Sequence, residues 1–270
     1  MMNSPRMTKW GAVLVLTCVT LGASGCQWFT ARDELNKGIT AYRGQNYISA
    51  VEHFKAATEA DPTHVIARQY LATSYATQYV PGLDTPENQQ NGENAIAEFQ
   101  KVLQMDASNV GSISGIASMY FQMKRMDQAK EYYLKQIQLD PRDPVPYYSV
   151  AVINWTMTYQ PRMILKQRMG YAPDAPIRDA KERQALADRS LPLIEEGMEK
   201  LNKAIGIRAD YDDAMAYLNL LYREKADLVE TPAERDDLIK TANSWIDKAL
   251  EIKKDRAVKA QQQPSGAAGG

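Results

Sequence analysis

Small and large apolar residues recur along this chain at distances that fit one face of an α-helix. Ala50 is followed by Phe54 four residues on, by Ala57 seven on and by Pro62 twelve on. This set of spacings, which we call the repeated frame, returns four more times, starting at Ala95, Ala129, Gly197 and Ala242. Because spacings of four and seven place side chains on one side of a helix, the pattern predicts five copies of one helix, each ending at a turn.

A partner helix precedes each copy and is marked by a small residue of its own. Around Ala117, the residues Ile113, Ile116 and Tyr120 form an apolar stripe at helical spacing. The corresponding markers elsewhere are Gly38, Ala72, Ala151 and Asn219. The distance from the marker residue to the first residue of the repeated frame is 12 residues in two copies and 23, 46 and 23 residues in the other three. We therefore predict an all-α fold of five antiparallel helix pairs, three of which are longer than a tight turn requires.

The two pairs with a distance of 23 residues contain clear helix-start signals. Thr85 precedes Pro86, and Thr231 precedes Pro232. Threonine is a good N-cap residue, and proline suits the first helical position. The sequence predicts lengthened helices over residues 86–105 and 232–258.

The largest excess lies in residues 159–191 and leaves two alternatives open. One is an extra helical hairpin with breaks at Pro161 and residues 170–176; the other is a long irregular loop with an extended helix. Residues 163–165 are apolar enough to be buried, whereas Arg178, Lys181 and Arg183 offer a polar face. Seven basic residues against four acidic ones make this insertion positive and favour an acidic or carboxylate-bearing partner.

The repeated frame resembles the tetratricopeptide repeat (TPR) family, whose period is 34 residues. The resemblance covers about residues 33–256. It is carried in the first copy by Gly38, Tyr42, Tyr47, Ala50, Phe54, Ala57 and Pro62, and in the third by Tyr120, Ala129, Tyr133 and Pro141. It implies a right-handed solenoid over residues 33–258 with one large insertion.

The resemblance also implies that the first helices of the pairs line a concave binding surface. Residues off the packing stripe then form a partner-binding groove: Tyr42, Gln69, Thr73, Phe121, Gln122, Tyr148, Val152, Trp155, Leu220, Arg223 and Glu224. Aromatic side chains beside amides suit a bound peptide or extended segment. We expect the groove to centre between the third and fourth first helices, with the insertion as its wall or lid. The alternative is that Tyr148 and Trp155 are core residues beneath the insertion.

The first 25 residues read as an export signal. Arg6 and Lys9 precede a short apolar run, and the small residues 23–25 stand directly before Cys26. This junction resembles the lipobox of bacterial lipoproteins. The resemblance implies a lipid anchor on Cys26, a linker over residues 26–32 and the periplasmic face of an outer membrane. Ordinary cleavage after Gly25 is the alternative.

Residues 259–270 are low in complexity and are expected to be disordered.

Charge and composition exclude several classes of function. There are 32 basic and 33 acidic residues, so no broad cationic field suggests nucleic-acid binding. Two cysteines and two histidines, His53 and His64, offer no metal-site spacing, and no catalytic motif is present. We expect no cofactor, no metal and no enzymatic activity.

A non-catalytic protein-interaction scaffold at the cell envelope fits these features. The alternatives are an assembly factor for an outer-membrane machine, such as a pilus secretin or the β-barrel insertion complex, and a small-ligand-binding lipoprotein linked to solute uptake.

Overall fold

The computed structural model describes residues 10–262, with side chains for residues 27–261. Within that range the chain forms ten α-helices and no strand. These helices confirm the all-α prediction. They belong to two compact units, one ending at Met123 and the other beginning at Lys124.

The N-terminal unit contains five helices that contact one another in chain order. They are α1 (Trp10–Arg43), α2 (Tyr47–Ala60), α3 (Val65–Gln78), α4 (Pro86–Met105) and α5 (Val110–Gln122). The α4 bounds are those predicted for the first lengthened helix. Its start is set as expected, because the Thr85 side chain accepts a hydrogen bond from the Asn88 N–H and Pro86 follows.

The C-terminal unit also contains five helices that contact one another in chain order, and α7 additionally contacts α9. They are α6 (Met126–Leu139), α7 (Pro144–Arg168), α8 (Ala180–Ile207), α9 (Asp212–Ala226) and α10 (Pro232–Gln262). The start of α10 is the one predicted. Half of the predicted capping box forms there, since Glu234 N–H donates to Thr231 Oγ1 (3.2 Å). The Glu234 carboxylate accepts from the Thr231 hydroxyl (2.9 Å) in place of the backbone N–H.

The repeated frame is the core of both units. The five starting positions Ala50, Ala95, Ala129, Gly197 and Ala242 are buried, and so are Phe54, Phe99, Tyr133 and Leu201 four residues further on. Some crossings depend on the absence of a side chain. A Cβ added to Gly38 or Gly115 would lie 2.5 Å from the ring of Phe54 or Phe99, respectively. Helix spacing at these points is therefore set by glycine facing an aromatic ring.

The turns after the second helices follow from their aspartates. The carboxylates of Asp61, Asp106 and Asp140 each accept a backbone N–H two residues further on, at 2.9–3.0 Å. In Asp61 the carboxylate also accepts the Thr63 hydroxyl, which lowers the pKa of Asp61. These side chains hold the chain in a turn. In two of the three copies the next residue is a proline, which disfavours helical geometry in the aspartate before it.

The insertion lengthens the fourth pair at both helices. Helix α7 continues past Pro161 to Arg168, and α8 begins at Ala180, so the pair continues as two antiparallel arms joined by residues 169–179. The predicted break at Pro161 is therefore wrong, while the break within 170–176 is present. Pro161 is exposed, so water can bond the carbonyl that its missing N–H leaves free. Of the three apolar residues expected to be buried, Leu165 is buried but Ile164 is 61% exposed.

The ends of the chain also differ from expectation. Helix α1 runs from Trp10 to Arg43, so residues 26–32, predicted as a linker, are helical. Helix α10 extends four residues beyond the predicted end, to Gln262. Residues 1–9 of the predicted signal and 263–270 of the predicted tail lie outside the described residues, as does the side chain of Cys26.

Candidate functional site

A shallow groove of about 370 Å³ lies between α3 and α5 in the N-terminal unit. Its polar lining is a set of amides and hydroxyls from the two helices: Gln69, Thr73, Ser114, Ser118 and Gln122. Of the described residues that line it, none is charged. We call this surface the amide groove.

Hydrogen bonds orient the two amides of the amide groove. Gln69 Nε2 donates to Asn109 Oδ1 (2.8 Å), and the same oxygen accepts the Ser112 N–H that caps α5 (3.0 Å). Gln122 Nε2 donates to Ser118 Oγ (3.1 Å). Each amide has further donor and acceptor capacity beyond these bonds.

Tyr42 lines a neighbouring concavity of about 340 Å³ together with Gln69, Tyr70 and Thr73. Its hydroxyl is 3.3 Å from Thr77 Oγ1, and its ring packs edge-on against Tyr70. Three predicted groove residues of this unit are thus brought together on α1 and α3.

A cavity of about 460 Å³ lies between α7, α9 and α10 in the C-terminal unit, with residues 173 and 174 of the α7–α8 connection as part of its wall. One part of its lining is apolar or aromatic: Trp155, Tyr159, Met163, Leu220 and Ile239. The other part is charged and includes Arg162, Arg223, Glu224, Asp227 and Arg235. We call it the arginine cavity.

Four charged side chains form a buried charge cluster behind this cavity, namely Arg162, Lys166, Glu224 and Asp227. Asp227 Oδ2 accepts from Arg162 Nη1 and from Lys166 Nζ, each at 2.5 Å. Lys166 Nζ also donates to the Pro173 carbonyl (2.8 Å), which ties the connection to α7. Arg162 Nε is 2.9 Å from Glu224 Oε2, but its N–H is not aligned with that oxygen, so this contact is an ion pair without a good hydrogen bond.

Burial decides the protonation of this cluster. Glu224 is 2% exposed, and burial raises its pKa to about 7, because Arg162 is shared with Asp227 and compensates only in part. Burial likewise lowers the pKa of Lys166, against the attraction of Asp227. A carboxylate that protonates near neutral pH therefore lies beside the cavity.

The predicted groove residues of the C-terminal unit do not all reach a concave surface. Trp155, Leu220, Arg223 and Glu224 line the arginine cavity. Val152 is buried. Tyr148 packs against the rings of Tyr211 (5.2 Å) and Tyr217 (5.4 Å) at the edge of the core.

Trp155 combines the two roles considered for it. It lines the cavity and also packs on Tyr159 and Tyr217. The cavity lies between the fourth and fifth first helices, one pair later than the predicted centre. Phe121, at the end of α5, is half-buried and lines neither the amide groove nor the concavity beside Tyr42.

Sequence reasoning missed Arg162, Lys166, Asp227 and Arg235. A signal was available for the first two, because basic residues four apart in a helix share a face. Glu224 and Asp227 are three apart and face them, which the sequence alone does not show.

The two histidines have local roles. His53 Nδ1 is 2.7 Å from Glu34 Oε2, and His64 caps α3 by accepting the Ala67 N–H. Among the residues described, no group of three or more His, Cys, Asp or Glu could hold a metal ion. In the same part of the chain, no helix is both long and apolar enough to cross a bilayer.

Comparison with known proteins places the fold. A tetratricopeptide-repeat family model matches residues 112–143, which include the third predicted copy. A search of curated proteins returns no match. A crystal structure of MamA superposes with a TM-score of 0.57 at 17% identity, covering 82% of this chain and 96% of MamA. MamA 41-end from Desulfovibrio magneticus RS-1 gives a TM-score of 0.57 at 15% identity, covering 84% of this chain and 96% of that one. At such identities the similarity shows the fold, which is TPR-like as predicted.

Proposed function

We propose that this chain, whose fold is that of a tetratricopeptide-repeat protein, is a non-catalytic scaffold that binds an extended segment of a partner protein. The observation that carries the proposal is the amide groove. It is concave, it runs between two first helices, and its polar lining consists of neutral amides and hydroxyls.

The chemistry of this groove suits a polypeptide main chain. An extended segment presents N–H donors and C=O acceptors, and an amide side chain can pair with both. Gln69 and Gln122 are held in place by their bonds to Asn109 and Ser118, so little side-chain entropy is lost when a ligand binds. Because the lining is neutral, it does not select for a particular charge on the partner at this site.

A substitution that fills the groove tests the proposal. Ser118→Arg introduces a long charged side chain into the groove wall, and Gln100→Arg places the same side chain on an exposed position of α4. Affinity purification from the source cells identifies proteins retained by the wild type, and calorimetry with each purified partner measures its affinity. We expect Ser118→Arg to weaken binding about tenfold or more, and Gln100→Arg to leave it unchanged.

Melting temperature is the control for folding. If Ser118→Arg melts like the wild type and binds every partner equally well, the amide groove is not the binding surface and the proposed function loses its support.

We further propose that the mature chain is anchored by a lipid on Cys26 at the periplasmic face of an outer membrane. The small residues 23–25 before Cys26 support this. So do Trp28 and Phe29, which are 50% and 69% exposed directly after it, because aromatic rings favour the bilayer interface. An alkyne fatty acid fed to cells should label the wild type and not Cys26→Ala. Equal labelling of both, or a wild type found only in the soluble fraction, contradicts the anchor.

A further inference from the structure

Two buried N–H donors of the arginine cavity have no acceptor. Trp155 Nε1 and Arg235 Nε are both inaccessible to solvent, and neither is hydrogen-bonded to any atom of residues 27–261. Buried polar groups in folded proteins are almost always paired, so each such donor needs an explanation. Both residues line the arginine cavity, but water reaches neither N–H, so these two donors lie within its wall.

Two arginines of the cavity have only neutral partners. Arg223 Nη2 donates to Asn243 Oδ1 (2.6 Å), and Arg235 Nη2 donates to the main-chain oxygen of Asp174 (2.8 Å). In the described part of the chain, neither guanidinium has a carboxylate within ion-pair distance. Arg162 differs from them, because Asp227 and Glu224 balance its charge within the buried charge cluster.

Another part of the lining is apolar. Trp155, Met163, Leu220 and Ile239 come from three different helices and border the same space as the arginines. A purely ionic ligand would leave these side chains without a partner. A ligand with an apolar body would bury them, and burial of apolar area is the main source of affinity in small-molecule sites.

We propose that the arginine cavity binds a carboxylate that carries an apolar group. Arg223 and Arg235 balance the charge of the carboxylate. The apolar group lies against Met163 and Leu220. This binding site is separate from the amide groove, and neither proposal depends on the other.

Two sources could supply this chemistry, a free organic acid or the C-terminus of a polypeptide with an apolar last residue. A volume of about 460 Å³ accommodates either. We therefore use two probes, 4-phenylbutyrate and the dipeptide N-acetyl-leucyl-phenylalanine, each paired with its own carboxamide. The members of each pair differ in charge at one group and hardly in size.

Calorimetry on the full-length mature chain measures binding. We expect saturable binding of at least one acid with a Kd of about a millimolar or tighter. The matching amide should bind at least about tenfold more weakly than its acid. The acid that binds more tightly identifies the source. Binding should weaken as salt is added, because the interaction is partly ionic.

Three variants locate the site. Arg223→Gln and Arg235→Gln each remove a positive charge from the cavity. Trp155→Phe reduces the aromatic wall of the cavity and should weaken acid binding through lost apolar contact. The matched control is Arg189→Gln, an exposed arginine of α8 that makes the same change in net charge outside the cavity. We expect each arginine variant of the cavity to weaken acid binding about tenfold and the control to have no effect.

Melting temperatures show whether the variants are folded, and Trp155→Phe provides a test that keeps all charges. Three results would overturn the proposal: neither acid binds, acid and amide bind equally well, or both arginine variants, folded, bind the acid as tightly as the wild type does.

Discussion

Adding one methyl group to Gly115 should destabilise the N-terminal unit, although alanine is the better helix former. Gly115 lies within α5, where it faces Phe99 of α4. A Cβ at this position would be 2.5 Å from both Cε2 and Cζ of the Phe99 ring. Carbon atoms in ordinary contact are about 3.5–4.0 Å apart. Because Phe99 is only 6% exposed, its ring has little free space to move into.

Two opposing effects set the size of the change. Replacing glycine by alanine inside a helix gains about 1 kcal/mol from backbone entropy and propensity. Overpacking a core typically costs about 1–3 kcal/mol, and a clash with a buried ring belongs in the upper part of that range. We therefore expect Gly115→Ala to lower the free energy of unfolding by about 1–2 kcal/mol.

Urea denaturation followed by circular dichroism gives this free energy. Gly111→Ala is the matched control on the same helix, because its added Cβ would meet no atom closer than 3.6 Å. It should leave stability unchanged or raise it slightly. Adding Phe99→Leu to Gly115→Ala should recover part of the loss, since a smaller side chain relieves the clash. A Gly115→Ala variant as stable as the wild type would refute the close α4–α5 crossing.

Three further changes in stability follow from buried positions. Ala129→Asp should cost about 3 kcal/mol or more in urea denaturation, because Ala129 is fully buried, whereas Gln128→Asp on the exposed neighbour should be nearly neutral. Asp227→Ala should lower the free energy of unfolding by about 3–5 kcal/mol, because it leaves Lys166, 1% exposed, without its carboxylate. Glu224 has a pKa of about 7 in the folded chain against 4.5 for the free side chain, so the folded state binds its proton more tightly. The stabilisation by that proton is complete below the lower value and is lost as the pH rises through 7, by about 3 kcal/mol in total. Glu224→Gln should flatten this slope between pH 5 and about 7 in a series of denaturation curves; an unchanged slope would contradict the raised pKa.

Local signals in the sequence were sufficient to predict most of the fold. The bounds of α4 follow from Thr85 and Pro86 at its start and from Asp106 at its end, and all three act through contacts within a few residues. The frame positions were equally predictable, because spacings of four and seven are a property of one helix. The existence of the individual helices needed no information about distant contacts.

The features that sequence reasoning missed depend on contacts between helices. Pro161 is a helix breaker by its own chemistry, but α7 continues through it because α8 and α9 pack against that helix. The buried charge cluster joins residues that are about 60 positions apart in the chain. Its existence follows from the way α7 approaches α9, which no periodicity encodes.

For the same reason, part of the predicted groove could not be assigned from the sequence. Counting around the first helices selected Gln69, Thr73 and Gln122, which lie together at one concave surface. It also selected Val152 and Tyr148, whose environment is determined by neighbouring helices. A helical wheel shows which side a residue occupies, but not what covers it.

Photo-crosslinking from inside the amide groove tests the scaffold function most directly. A photoreactive phenylalanine analogue replaces Gln122 in one variant and the exposed Gln100 of α4 in another, and both are irradiated in the source cells. Binding in the groove predicts that the Gln122 variant forms a crosslink to one partner segment, mapped by mass spectrometry, and that Ser118→Arg abolishes it. Equal crosslinking from both positions, or crosslinks that persist in Ser118→Arg, would contradict binding in the groove.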